Sequence, residues 1–148
     1  MAHFAKISEE KKVLTVLYIE NKLIEDENGV EQESIGQAYL ETHNNWPAHL
    51  WIKTSYNTHA NQHADGKTPF RGNYAGVGVT WYAEHDAFLG EKPYASWVFD
   101  SSRALWTSPI GDPPELTEEQ VNETLANDSP LYEYQWDEAN QTWNFVTL

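Results

Sequence analysis

Phe70-Arg-Gly-Asn-Tyr-Ala-Gly76-Val-Gly-Val-Thr-Trp81-Tyr, followed by Asp86-Ala-Phe88, Lys92-Pro-Tyr-Ala-Ser-Trp97 and Arg103-Ala-Leu-Trp106, is the stretch that decides the fold. Glycines, a Lys-Pro corner and paired aromatics interrupt any helical period, so residues 70–106 read as a β-meander. The rest of the chain is expected to cover or extend it. The fold class that follows is α+β and β-rich: an antiparallel meander of hairpins, six to eight strands in all, with one amphipathic helix and one short helix.

Working outward, Phe4-Ala-Lys-Ile7 and Val13-Leu-Thr-Val-Leu-Tyr-Ile19 form a hairpin across the charged turn Glu9-Glu-Lys-Lys12. The second strand is apolar almost throughout, which predicts burial on both faces and a central place in its sheet. In residues 31–43, Ile35, Ala38, Tyr39 and Thr42 recur at helical spacing and predict an amphipathic helix, with Gly36 counted as a cost. Residues 50–56 alternate as a strand, and 57–69 follow as a long polar loop. Farther on, Leu116-Thr-Glu-Glu-Gln-Val121 carries a capping box between Thr117 and Gln120 and a staple between Leu116 and Val121, predicting a short helix to about Leu125.

Trp81 and Phe88, Phe99 and Trp106, and Trp136 and Trp143 are each seven residues apart, and Ile7 and Leu14 repeat the interval in aliphatic form. If the middle four residues turn, each pair meets across an antiparallel ladder, with Asp100 and Asp137 placed to start Asx-turns. Exposed rows of the same aromatics would instead stack on sugar rings or anchor a protein.

The 148 residues are one domain's worth, and residues 1–148 are read as a single domain. Nine Lys and Arg against 23 Asp and Glu give a net charge of −14, which repels nucleic acid and anionic membranes. From 112 to 138 there are nine acids, and no base follows Arg103. There is no cysteine, hence no disulfide or thiolate metal site. The longest apolar run is far short of the ~20 residues of a membrane helix, and no export signal opens the chain.

Candidate chemistry is sparse. His59, His63 and Asp65 lie in the polar loop without a third ligand at a zinc-like interval. Ser55, Ser96 and Ser101 have no nucleophile elbow, and Gly72, Gly76 and Gly78 do not follow the order of a nucleotide-binding loop. Those glycines are read as a tight backbone path, supplying φ > 0 or room for a neighbouring Trp. No enzyme, cofactor or metal is expected, because no nucleophile, base and oxyanion donors converge.

Met1-Ala-His-Phe-Ala-Lys6, Thr54-Ser-Tyr-Asn57, Arg71-Gly-Asn-Tyr-Ala-Gly76, Asp86-Ala-Phe88, Lys92-Pro-Tyr-Ala-Ser-Trp97 and Tyr134-Gln-Trp-Asp-Glu138 with Trp143 span nearly the whole chain. In these pieces it resembles a family of small structural-type proteins of marine tailed phages, cyanophages above all. One departure is Glu91-Lys-Pro93, where relatives often carry paired prolines. The resemblance implies a virion structural component, made in the host cytoplasm and resident in the particle, and carries over no catalytic residue.

The function expected is therefore a capsid decoration protein or other surface-attached virion component. The alternatives are a tail or fibre-associated carbohydrate-binding module, and a phage protein that modulates a host partner. Partners would be other capsid or tail proteins or a glycan, not nucleic acid or membrane, and a tail position would bring a trimer or hexamer. Trp46, Trp51, Tyr56, Arg71, Tyr74, Lys92, Tyr94 and Trp97 are the expected partner-binding residues. The mid-chain bases Lys53, Lys67, Arg71, Lys92 and Arg103 would mark a salt-sensitive docking side, opposite an acidic face that keeps particles apart.

Overall fold

Ala2–Ile7 interleaves apolar residues with His3 and Lys6, and in the computed structural model, which describes residues 1–148, it forms β1, the middle strand of the largest sheet. β2 (Val13–Ile19) and β3 (Trp51–Thr54) flank it antiparallel, in the order β2-β1-β3. The apolar run of β2 is thus an edge strand, contrary to the central place its composition predicts; Leu14 and Tyr18 are 45% and 65% exposed. The reason is long-range: β3 arrives from well beyond the hairpin and docks on β1, which composition alone cannot foresee. A bulge between Lys6 and Ile7 sets Ile7 against Val13, so the expected Ile7–Leu14 pair does not form.

Alternation along β1 serves two cores. Ala5 and Ile7 join Val13, Leu50, Ile52, Ala75, Trp81 and Phe88 on one face, while Ala2 and Phe4 join Ile24, Leu40 and Trp51 on the other. Burying side chains of the size of Phe4 or Leu40 contributes roughly 1.5–3 kcal/mol each.

The second face is roofed by α1 (Glu33–Asn44), which ends with Asn45 in the left-handed conformation. Its buried residues are Gly36 and Leu40, whereas Ala38 and Thr42 are exposed, so the apolar stripe is rotated from the one the spacing suggests. Gly36 is the contact rather than a defect: a Cβ there would lie 2.4 Å from Phe4 Cζ and 2.9 Å from Ile24 Cγ2.

The polar loop contains its own hairpin, β4 (Thr58–His59) and β5 (Gln62–His63), turned by Ala60 and Asn61 at φ +50° and +56°. β6 (Thr80–Tyr82) and β7 (Ala87–Leu89) place Trp81 opposite Phe88, with ring centroids 4.8 Å apart, as the seven-residue interval predicts. Gly72 and Gly78 take the positive φ expected of them, +74° and +90°, and the space at Gly72 is filled by Ala104 and Ala87 rather than by a Trp. β8 (Val98–Asp100) and β9 (Leu105–Thr107) follow as a further hairpin, and Asp100 Oδ1 accepts from Ser102 N at 2.9 Å in the expected turn.

Two compact units emerge, residues 1–91 with 99–105, and residues 92–98 with 106–148. The second unit has no fully buried apolar side chain. It is built on the hairpin of β10 (Tyr132–Asp137) and β11 (Thr142–Thr147), preceded by α2 (Glu118–Asn127) with both halves of the Thr117/Gln120 capping box made. Trp136 faces Trp143 at 5.2 Å, and Trp97 meets both rings edge-on at 6.1 and 6.0 Å. Eleven strands, two α-helices and three short 3₁₀ turns give an α+β, β-rich fold with 32% strand against 22% helix. The count exceeds six to eight because several strands are only two or three residues long.

Candidate binding site

The first unit carries one exposed aromatic patch. His3 on β1 lies opposite Tyr18 on β2, with ring centroids 6.1 Å apart. Just after β3, Tyr56 stacks on His3 at 5.7 Å, and Tyr74 closes the group edge-on, 5.5 Å from Tyr56 and 6.0 Å from His3. Tyr74 is held there because its N–H donates to Thr58 O at 2.7 Å and the next amide, of Ala75, donates to Thr54 Oγ1 at 3.0 Å. Tyr18 and Tyr56 remain 65% and 64% exposed.

Electrostatically the patch is uncharged near neutral pH. Burial, helped by the N-terminal ammonium, holds His3 below its ordinary value of 6.5. Burial and then the neighbouring Tyr56 push Tyr74 above its ordinary value of 10.0. Beside the patch opens a cleft of about 490 Å³, with Tyr56 and Phe70 among its walls and Asn21, Asn57 and the Glu31–Lys53 ion pair (3.4 Å) supplying polar groups. The cleft thus sets aromatic rings beside amide and charged groups, and no group of three His, Cys, Asp or Glu gathers to hold a metal.

The sequence-based candidates separate on this structure. Tyr56 and Tyr74 come together in the patch. Trp51 is fully buried and has no surface to offer a partner; its indole donates to Trp46 O at 3.1 Å, and Trp46 in turn donates to Ile7 O at 3.0 Å beneath Lys6. Arg71 is likewise internal: Nη1 and Nη2 reach Glu33 at 2.7 Å each, Nη1 also reaches Lys53 O at 2.8 Å, and the guanidinium lies over Phe70 and Trp81. Lys92, Tyr94 and Trp97 belong to the second unit, where Lys92 lies over Trp106 and Tyr94 packs on Trp97 at 5.5 Å.

Of the five mid-chain bases expected to mark a docking side, three are engaged by acids within the protein. Lys53 pairs with Glu31, Arg71 with Glu33 and Asp86, and Arg103 with Asp100. His63 Nδ1 accepts from Asp65 N at 3.0 Å, a local turn contact. His3 and Tyr18 are the residues of the patch that the sequence reading missed. The available signal was hairpin register, since the turn after Ile7 sets His3 against Tyr18.

No protein-family model matches the chain, and neither a curated protein nor a solved structure matches it significantly.

Proposed function

We propose that the protein is a virion structural component of a tailed phage, attached to the capsid surface as a decoration protein and docked through the His3, Tyr18, Tyr56 and Tyr74 patch. The observation that carries this reading is an uncharged, exposed aromatic patch on a chain of net charge −14. Interfaces concentrate Tyr at their centres and exclude charge there, while the acidic remainder keeps particles apart. The resemblance to marine phage proteins supplies the particle. Mass spectrometry of purified virions tests it: the protein should be present in the particle and lost from it in a Tyr18→Ala/Tyr56→Ala variant. Absence of the wild-type protein would overturn the structural reading in favour of a host-directed role.

A second reading rests on the cleft beside Tyr56, whose aromatic wall and amide groups suit a sugar ring. This is the tail or fibre-associated carbohydrate module. Binding on a glycan array that disappears in Tyr56→Ala would favour it.

A further inference from the structure

One face of the β10–β11 hairpin is aromatic along its whole length. Alternation and register bring Tyr132, Tyr134 and Trp136 together with Trp143 and Phe145, and turn Glu133, Gln135 and Asn144 to the other face. The two ends of that face are finished differently. At the turn end Trp97 lies edge-on to Trp136 and Trp143, and the Trp143 indole donates to Gly111 O at 3.0 Å. At the open end Tyr132 stacks on Phe145 at 5.6 Å and Tyr134 meets Phe145 edge-on at 5.5 Å, yet Phe145 is still 44% exposed.

The rim of the open end is acidic. Tyr132 OH donates to Glu123 Oε2, and Glu119 stands one turn earlier on the same exposed side of α2. The hydrogen bond to Glu123 first, then burial and the charges of both carboxylates, hold the Tyr132 hydroxyl above its ordinary value of 10.0, so both charges are felt at the ring. Neither carboxylate is paired with a base, and from Ala104 to Leu148 there are nine acids and no Lys, Arg or His. Like charges four residues apart disfavour the helix that carries them, and a cation set between them removes that cost.

We propose that the open end of this face docks a basic segment of a partner protein, with an arginine side chain laid over Phe145 and Tyr132 and its guanidinium on Glu119 and Glu123. Charge and ring chemistry together name the occupant. A guanidinium is flat, stacks on aromatic faces and forks to carboxylate oxygens, and Glu123 Oε1 accepts no hydrogen bond within the chain. A metal ion or a simple ammonium would use the carboxylates and leave the rings idle, whereas the methylene stem and flat head of arginine use both. The net charge of −14 sets a second copy against the first, and the same acids repel phosphate backbones and anionic membranes. The surface belongs to the second unit and the His3–Tyr56 patch to the first, so the docking does not rest on the virion reading.

Isothermal titration of the full chain with a capped hexa-arginine peptide at low salt tests the docking. The expected result is binding that Glu123→Gln and Phe145→Ala each weaken roughly two- to fivefold. Glu133→Gln removes the same charge from the other face of the hairpin and should leave the affinity unchanged. Hexa-lysine should bind more weakly than hexa-arginine, and spermidine more weakly still. In the unaltered chain the Tyr132 and Phe145 ring protons should shift in the NMR spectrum as hexa-arginine is added, which decides the matter even if Phe145→Ala loosens the hairpin. No binding, equal losses in Glu123→Gln and Glu133→Gln, unmoved ring protons, spermidine bound as tightly as the peptide, or a dimer in sedimentation that Phe145→Ala dissolves overturns the proposal.

Discussion

Arg71 holds Glu33 through two parallel hydrogen bonds, Nη1 to Oε1 and Nη2 to Oε2, both 2.7 Å. Glu33 opens α1 and Oε1 also accepts from Lys53 N, so the pair ties a helix start, a sheet edge and the 70–72 segment together. The Arg71 and Glu33 side chains are 15% and 26% exposed, which shields the pair from solvent. Arg71→Ala strands a partly buried carboxylate, and is expected to cost about 2–4 kcal/mol in urea unfolding. Arg71→Lys should recover little, because an ammonium cannot span both oxygens. A loss below about 0.5 kcal/mol, the range of an exposed pair, would refute the linking role.

Gly36→Ala sets two effects in opposition. Helix propensity alone favours Ala by about 1 kcal/mol. Yet the new Cβ would stand 2.4 Å from Phe4 Cζ, on a fully buried ring. Overpacking of that kind costs about 1–3 kcal/mol, so the variant should melt lower than wild type. A stabilised Gly36→Ala would mean that α1 lies farther from β1.

The aromatic patch should respond to mild acid through His3. Its folded-state value lies below 6.5, so between that value and 6.5 the unfolded chain binds more protons than the folded one. Stability is therefore full above pH 6.5 and declines as pH falls from there through the folded value. His3→Phe should flatten that part of a plot of melting temperature against pH, and proton NMR should place the His3 midpoint below 6.5. A midpoint above 6.5 would contradict the burial assigned to the ring.

In the second unit, Glu138 substitutes for the missing core. It accepts from Ser96 Oγ at 2.5 Å, Ser96 N at 3.0 Å and Trp136 Nε1 at 2.9 Å, fastening the segment that carries Trp97 onto the β10–β11 hairpin. The Ser96 hydroxyl first, and the Trp136 indole next, hold its carboxyl below the ordinary 4.5. Its contribution is present above pH 4.5 and is lost as pH falls through the lowered value. Near-UV circular dichroism of the tryptophans should fade over that acid range, and Glu138→Ala should remove the signal at neutral pH. Retention of the signal in that variant would show that ring packing alone holds Trp97.

Much of the local structure was legible because its causes are local. The Thr117/Gln120 capping box, the Asp100 turn and the Trp81–Phe88 and Trp136–Trp143 pairs all depend on residues a few positions apart, and the spacing encodes their geometry. The candidate site was only half legible. Tyr56 and Tyr74 stood out as aromatics near loops, but His3 and Tyr18 looked like parts of buried strands until register placed them side by side.

Composition and spacing by themselves determined an acidic, β-rich chain of hairpins with two helices and their approximate places. Tertiary structure decided which strand is central, which face of α1 is buried, and which tryptophans and bases are consumed inside the protein. Those outcomes depend on contacts between distant residues: Phe4 with Gly36, Arg71 with Glu33, β1 with β3. A hydrophobic pattern specifies that a side chain will be buried, but only the arrival of a partner from far along the chain specifies against what.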